Sequence, residues 1–268
     1  MRLFLTGATG YLGSEVARLA ASAGWDVGPA SRVEIRDASA VREAMAAERP
    51  NAVIHTAYRQ DGDAAMQTNV DGSLHVAWGA REQGARLVHV SSDVVFRGDL
   101  GRPLTESDAV DPVTEYGRTK AAAEVAVTAT HSDAVLVRTS LIYGGEQPSR
   151  HEQLAIAAAR GEAEISFFED EIRCPVAVAD LAAVLVELVA LPEICGPLHV
   201  AGPDALSRLE FARLVADRHG LDAESLKGEP RPADRPGDLS LDCSRARALL
   251  QTRLRGVSEV LGGASVLP

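Results

Sequence analysis

Arg2-Leu-Phe-Leu-Thr-Gly-Ala-Thr-Gly-Tyr-Leu-Gly13 decides the fold, because a short apolar run passes directly into three glycines spaced as GxxGxxG. The run predicts a buried strand, and apolar residues at helical spacing over 14–23 predict a helix immediately after the glycines. In that context Gly7 permits a tight turn, Gly10 lets the backbone approach a pyrophosphate, and Gly13 brings the helix against the strand. We therefore expect a dinucleotide at the amino end of this helix.

Beyond this unit, short apolar runs alternate with longer amphipathic stretches. Strands are predicted at 26–28, 33–35, 52–55, 86–90 and 134–138, and helices at 39–48, 62–83 and 115–130. Apolar strands that are each followed by a helix are typical of right-handed βαβ units around a parallel sheet. The predicted fold class is therefore α/β, with a doubly wound parallel sheet of the Rossmann type formed mainly by residues 1–143.

The pattern changes after Tyr143. Helices are predicted at 151–160 and 180–191, and a strand near 197–201 is expected to return to the sheet. Residues 144–268 are too few for an independent domain. We expect them to form mainly a small C-terminal substrate-binding lobe over the carboxyl edge of the sheet, where open α/β sheets bind ligands.

Composition and charge exclude several classes of protein. The 27 basic and 38 acidic residues give a net charge of −11, which disfavours a nucleic-acid partner. The three cysteines form no CxxC pair, so we expect neither a disulfide framework nor a cysteine-based zinc site. We expect the protein to reside in a reducing compartment. The longest apolar stretch is too short to span a bilayer, and the first strand leaves no room for a signal peptide. We expect a cytoplasmic protein without membrane or metal partners.

The end of the second predicted strand bears on the choice of dinucleotide. An NAD site usually has a carboxylate here for the ribose 2′-hydroxyl, but this chain has Ser31 and Arg32, and no carboxylate before Glu34. A hydroxyl and a guanidinium suit a 2′-phosphate, so NADP(H) is favoured over NAD(H). Asp37 could accept a hydrogen bond from the adenine amino group or could cap the next helix, and both roles stay open.

A second constellation carries the chemistry. Tyr116 and Lys120 are spaced i and i+4 on one predicted helix, and Ser91 and Ser92 end a strand at the carboxyl edge of the sheet. An ammonium beside a phenol is expected to lower the pKa of the phenol, while it also holds the nicotinamide ribose. Ser92 could then bind the substrate oxygen while Tyr116 delivers a proton to it. Lys120 is one of only two lysines, which makes a chance match less plausible.

Together these motifs resemble the extended short-chain dehydrogenase/reductases, and in particular the dTDP-4-dehydrorhamnose reductase-like branch, which reduces a 4-keto nucleotide sugar with NAD(P)H. Further segments that carry the resemblance are 55–58, 68–72, 91–96, 138–144, 173–176 and 235–243. The resemblance implies Ser92, Tyr116 and Lys120 as catalytic residues. It also implies cofactor contacts from Gly7, Gly10, Tyr11, Leu12, Gly13, Thr56, Ala57, Tyr58, Ser91, Tyr116, Lys120, Ser140 and Leu141. Asn69 matches a helix asparagine of the family, whose role here could be structural or catalytic, and a homodimer is possible.

The predicted substrate is a nucleotide sugar, bound by residues of both parts of the chain. The candidates are Ser92, Asp93, Val94, Tyr116, Arg150, Arg173 and Arg235, with Arg231 as a further guanidinium for a diphosphate. Val94 and Leu141 replace aromatic residues that frame the sugar in the rhamnose enzymes, so the particular sugar is open. Val94 also argues against a 4,6-dehydratase, which needs a glutamate at that position.

Two other functions stay open at this point. A nucleotide-sugar 4-epimerase would use the same Ser-Tyr-Lys set with tightly held NAD. A non-catalytic, NADP-binding regulatory subunit would have no need of that set. His55, His89 and His199 fall within strand patterns and are expected to be core residues without a catalytic role.

Overall fold

The computed structural model describes residues 1–28 and 33–262. The strands of this part are β1 (Arg2–Thr6), β2 (Asp26–Val27), β3 (Ala52–His55), β4 (Arg86–Ser92), β5 (Val135–Thr139), β6 (Ile142–Tyr143), β7 (Ser166–Phe168), β8 (Ile172–Arg173), β9 (Val176–Ala177), β10 (Gly196–His199), β11 (Leu206–Ser207) and β12 (Lys227–Glu229). The α-helices are α1 (Tyr11–Ser22), α2 (Ala38–Glu48), α3 (Gly72–Glu82), α4 (Glu115–Thr130), α5 (Arg150–Ala159), α6 (Val178–Leu188), α7 (Arg208–Arg218), α8 (Ser244–Leu249) and α9 (Val257–Gly262).

A six-stranded sheet lies at the centre, in the spatial order β10-β5-β4-β3-β1-β2, and every pairing in it is parallel. In the sheet, β2 lies on one side of β1 and β3 lies on the other side of β1. The strand order therefore reverses beside β1, and the crevice beyond the carboxyl ends of β1 and β3 is where such sheets bind ligands. The predicted doubly wound parallel sheet is confirmed.

Both faces of the sheet are covered, which explains why its strands are apolar at successive positions. In β1, Leu3 and Leu5 pack into the cluster under α1 and α6, while Phe4 packs into the opposite cluster under α2 and α3. All three side chains are fully buried. Because side chains alternate between the faces of a strand, only a strand buried on both faces reads as a continuous apolar run.

The C-terminal part has a hydrophobic core of its own and also contributes a strand to the main sheet. Helices α5, α7 and α9 surround a core in which the rings of Tyr143 and Phe211 meet edge to face, 5.5 Å apart. Strand β10 returns to the main sheet and pairs with β5, in agreement with the strand predicted near 197–201. Three short pairs, β11 with β8, β12 with β7 and β6 with β9, form separate two-stranded sheets outside the main sheet.

Two predicted elements differ from the structure. Residues 33–35, predicted as a strand, are not in the sheet, and Ile35 lies in a turn. Its side chain packs over Gly72 and its carbonyl oxygen accepts from His75 Nδ1 at 2.9 Å, so burial of Ile35 against α3 accounts for the apolar signal. The helix predicted over 62–83 is divided, because Gln67–Asp71 form a π-helical turn before α3.

Candidate active site

The glycine-rich turn joins β1 to α1 at the reversal point of the sheet. Gly7 has a φ of +73°, and a Cβ there would lie 2.7 Å from Thr56 Oγ1 and 2.8 Å from the amide nitrogen of Ala57. A Cβ on Gly13 would lie 2.0 Å from the carbonyl oxygen of Gly7. Side chains at these two positions are therefore excluded by the packing of the turn against the end of β3 and against itself.

The amino end of α1 is prepared to bind an anion. Its N-cap residue, Gly10, has no side chain that could accept a hydrogen bond from the first backbone N–H groups of the helix. A Cβ on Gly10 would touch only the carbonyl oxygen of Gly7, at 3.2 Å, which leaves the other side of the turn open to approach. The residues of the turn therefore fit the pyrophosphate of a dinucleotide.

Tyr11 connects this turn to the C-terminal part of the chain. Its hydroxyl accepts a hydrogen bond from the Gly145 amide at 2.8 Å and lies 3.5 Å from Glu152 Oε2. Glu152 also accepts from the Ser149 amide and completes the capping box of α5. Burial raises the pKa of Tyr11 to about 12, so its phenol stays protonated near neutral pH. Tyr11 thereby fixes the loop that follows Tyr143 beside the predicted dinucleotide site.

Helix α4 places Tyr116 and Lys120 beside the end of β4. Lys120 is buried, and its Nζ donates to the carbonyl oxygen of Val90 at 2.7 Å. A Cβ on Gly117 would lie only 2.2 Å from the carbonyl oxygen of Val94, so this glycine lets the helix approach the 93–95 turn closely. Burial lowers the pKa of Lys120 to about 8, and the nearby carboxylate of Glu124 opposes that shift.

The expectation that Lys120 lowers the pKa of Tyr116 is wrong. Burial raises the pKa of the Tyr116 phenol above its ordinary value, and the neighbouring Tyr58 and Asp93 act in the same direction. The Lys120 ammonium is instead bonded to the Val90 carbonyl. Tyr116 therefore keeps its proton at neutral pH, which is the protonation state that a proton donor needs.

Ser91 and Ser92 have different environments at the end of β4. Ser91 is buried and donates to Glu124 Oε1 at 2.6 Å, so its hydroxyl belongs to the protein interior. Ser92 is half-buried, and its hydroxyl donates to Asp93 Oδ1 at 3.1 Å. Of the two, Ser92 has the more exposed hydroxyl, whereas the hydroxyl of Ser91 is bonded to Glu124. The cofactor contact predicted for Ser91 stays a prediction.

Glu124 forms the centre of a buried charge pair next to the site. Its carboxylate receives the Arg138 guanidinium, with Nη2 to Oε2 at 2.8 Å and Nε to Oε1 at 3.0 Å, and both side chains are buried. Arg138 also stacks on the ring of Phe96, with its central carbon 4.9 Å from the ring centroid. This pair fixes α4 to β5 one helical turn after Lys120.

Asn69 lies in the π-helical turn and has a structural role. Its Oδ1 accepts from the Arg59 amide at 2.8 Å, and its Nδ2 donates to the Arg59 carbonyl and to Thr119 Oγ1. Thr119 in turn donates to the carbonyl oxygen of Tyr116 at 2.8 Å. Asn69 thus ties the loop after β3 to the helix that carries Tyr116, which favours the structural of the two roles.

A cluster of charged residues lies on the lobe side of Ser92. Asp93 accepts from Ser140 Oγ at 2.6 Å, and its Oδ2 is 3.7 Å from Arg173 Nε. Glu171, only 1% exposed, receives Arg173 at 3.2 Å and Arg235 at 2.6 Å. The structure therefore brings Asp93, Ser140, Arg173 and Arg235 together, and it adds Glu171, an acid that was not predicted from the sequence. Their roles in binding substrate and cofactor stay a prediction.

Other predicted residues lie away from this cluster or have other partners. Asp37 caps α2, because its Oδ1 accepts from the Ser39 and Ala40 amides. Arg231 pairs with Asp99 and Asp170, and Arg150 is exposed at the start of α5. Ser31 and Arg32 lie outside the described residues.

The sequence analysis missed Arg208 and His151. Arg208 Nη2 lies 3.0 Å from His151 Nδ1, and charges of Glu171, Arg173, Arg235 and Asp93 all act on the pKa of Arg208. Arg208 is the first residue of α7 and lies between the two members of its capping box, Ser207 and Glu210, so the sequence indicates only an ordinary first-turn residue. Only the antiparallel pairing of β11 with β8 brings it beside Glu171.

The strand histidines are core residues. His55 bonds Thr6 Oγ1 at 2.6 Å and Ser73 Oγ at 3.0 Å, and His199 Nδ1 bonds the carbonyl oxygen of Leu104. His89 is buried against the ring of His55, and burial holds its pKa well below the ordinary value. Within residues 1–28 and 33–262 there is no group of side chains that could hold a metal ion, and no helix long and apolar enough to cross a membrane.

The model of the RmlD substrate binding domain family matches residues 1–263. The dTDP-4-dehydrorhamnose reductase of Mycobacterium tuberculosis is 32% identical over 285 aligned positions, which cover 100% of this chain and 93% of that protein. Methionine adenosyltransferase 2 subunit beta of Bos taurus is 31% identical and covers 92% of this chain and 82% of its own length. The crystal structure of dTDP-4-dehydrorhamnose reductase from Bacillus anthracis in complex with NADP has a TM-score of 0.87 at 27% identity, with 97% and 95% of the two chains covered.

Proposed function

This chain belongs to the RmlD substrate binding domain family, and we propose that it is an NAD(P)-dependent reductase of a keto group on a nucleotide sugar. The observation that supports the proposal is that α4 brings Tyr116 and Lys120 to the end of β4, where Lys120 Nζ donates to the Val90 carbonyl and where Ser92 is the last residue of the strand. A phenol that keeps its proton suits reduction, in which the carbonyl oxygen must gain one.

The proposed chemistry divides between these three residues. Ser92 donates a hydrogen bond to the substrate carbonyl oxygen, and Tyr116 delivers a proton to the same oxygen. Lys120 holds the nicotinamide ribose from its position on the Val90 carbonyl. When bound, NADPH supplies the hydride that the carbonyl carbon receives. The pyrophosphate of the cofactor is held by the turn from Gly7 to Gly13.

The preference for NADPH is proposed from Arg32, and one substitution tests it. Arg32→Ala is expected to weaken NADPH binding by about tenfold or more, because a charge-assisted hydrogen bond to the 2′-phosphate is lost. NADH lacks that phosphate, so its affinity is expected to change by less than about twofold. Calorimetric titration of both cofactors measures the difference. Equal losses for NADPH and NADH would remove Arg32 from the 2′-phosphate site.

The proposed activity is tested by NADPH oxidation with a panel of 4-keto nucleotide sugars, after absorbance has shown whether cofactor co-purifies. Turnover that consumes one NADPH per hydroxyl formed supports the reductase. A 4-epimerase would retain NAD and interconvert sugars without net oxidation of NADPH. A regulatory subunit would bind NADP, reduce none of the panel and co-purify with a partner enzyme.

A further inference from the structure

The two arginines with the best sequence support as diphosphate ligands are already paired with carboxylates of the protein. Arg173 and Arg235 share the buried carboxylate of Glu171, at 3.2 and 2.6 Å, and Arg173 also lies 3.7 Å from Asp93. A guanidinium that is paired with a buried carboxylate has less of its charge left for a ligand. A cation of the cluster that has no carboxylate within ion-pair distance is better placed to bind an anion.

Arg208 is such a cation. Its amide donates to the carbonyl oxygen of Glu171 at 3.1 Å, so its side chain starts next to this acid. The partner of its guanidinium is the ring of His151, and no carboxylate of the described residues forms an ion pair with it. Burial lowers the pKa of Arg208 to about 10, so the side chain is still charged at neutral pH.

His151 adds a donor rather than a charge. Burial lowers its pKa to about 3, and nearby guanidinium groups, with Arg208 first among them, act in the same direction. The ring is therefore neutral near pH 7. Because Arg208 can only donate, His151 Nδ1 accepts that hydrogen bond, and the ring proton resides on Nε2. The pair thus offers guanidinium and imidazole N–H groups together.

The cluster has an excess of positive charge. Its three guanidinium groups, from Arg173, Arg208 and Arg235, exceed the carboxylates of Asp93 and Glu171 by one positive charge. The diphosphate that joins a nucleoside to a sugar carries two negative charges at neutral pH, so a cationic cluster attracts it. The cluster also adjoins the catalytic end of the site, because Asp93 accepts from Ser92 at 3.1 Å.

We propose that Arg208, together with His151, is a principal anchor of the substrate diphosphate, and that Glu171 holds Arg173 and Arg235 as the wall of the same site. This inference rests on the proposed function for the identity of the substrate. It assigns binding to a residue that sequence reasoning passed over, and it makes Arg173 and Arg235 the secondary contacts.

The test titrates the protein, saturated with NADPH, with dTDP, inorganic pyrophosphate and thymidine. Arg208→Gln is expected to weaken dTDP and pyrophosphate binding by about 10- to 100-fold, the loss typical of hydrogen bonds to a charged group. Thymidine and NADPH affinities are expected to change by less than about twofold. Arg208→Lys keeps the charge without the planar fork and should give an intermediate loss.

Arg213→Gln is the matched control, since Arg213 lies on the same helix and pairs with exposed Glu224 away from the cluster. It should leave dTDP binding unchanged. Arg208 variants that bind pyrophosphate and dTDP as tightly as the wild type would overturn the inference, as would equal losses for thymidine and NADPH, or wild-type protein that binds neither anion. Pyrophosphate binding that depends on Arg208 in a protein that reduces no keto-sugar nucleotide would support the anion site and sink the proposed function alone.

Discussion

Replacing Tyr116 with phenylalanine is expected to lower kcat for ketone reduction by about 10²- to 10⁴-fold, the usual contribution of a positioned general acid. The substitution removes only the hydroxyl, which burial keeps protonated in the wild type, and it leaves the ring in place. The glycine-rich turn is not touched, so the affinity for NADPH should be preserved. Single-turnover NADPH oxidation and calorimetric NADPH titration measure the two quantities on one preparation.

Tyr58→Phe is the matched control. Its ring lies 5.9 Å from that of Tyr116, between centroids, but its side chain is 54% exposed. We expect Tyr58→Phe to retain most of the turnover, because Tyr58 has no assigned proton to give. A Tyr116→Phe variant that turns over normally would contradict the mechanism, and a large loss in both variants would mean that the tyrosine pair acts as a unit.

Glu124→Gln is expected to destabilise the protein by about 3–5 kcal/mol, because it leaves the buried guanidinium of Arg138 without its counter-charge. Glutamine has nearly the same shape as glutamate, so the loss reports on charge rather than on a cavity. Urea denaturation followed by far-UV circular dichroism measures the free energy of unfolding.

The exposed ion pair between Arg42 and Glu82 serves as the control, and its contribution to the free energy of unfolding is measured in the same way. Glu82→Gln removes the same charge from side chains that are about half exposed, and it should cost less than about 1 kcal/mol. The double variant Glu124→Gln with Arg138→Met removes the unpaired cation and should recover part of the loss. If Glu124→Gln and Glu82→Gln lower the free energy of unfolding equally, the buried ion pair stabilises the protein no more than the surface ion pair does.

Local pattern was sufficient to predict the sheet and the glycine-rich turn. Leu3, Phe4 and Leu5 read as a strand because both faces of β1 are covered, and Gly7 and Gly13 are required by contacts within a few residues of the chain or with the adjacent strand. These are short-range consequences of backbone geometry. The apolar signal of Ile35 was misread, because an apolar side chain can be buried against a helix without its backbone joining a sheet.

The charged part of the site could not be predicted in the same way. Which guanidinium is neutralised and which is free depends on where Glu171 is placed, and that placement follows from the pairing of β8 with β11 across 33 or more residues. Sequence motifs singled out Arg173 and Arg235, but not the acid that holds both of them. The phenol of Tyr116 shows the same limit, since its pKa is set by burial and not by the lysine four residues later.

Beside the apolar Ala123 and Val127, helix α4 buries the polar side chains of Thr119, Lys120 and Glu124. Each of these side chains has a directional bond to a different element: Asn69, the Val90 carbonyl and Arg138. An apolar face could tolerate rotation or sliding of the helix, whereas a shift of one residue turns a helix by about 100° and would break all three bonds together. These bonds therefore fix the position of the helix against its neighbours, and that position sets the orientation of Tyr116, whose ring also meets the ring of Tyr58.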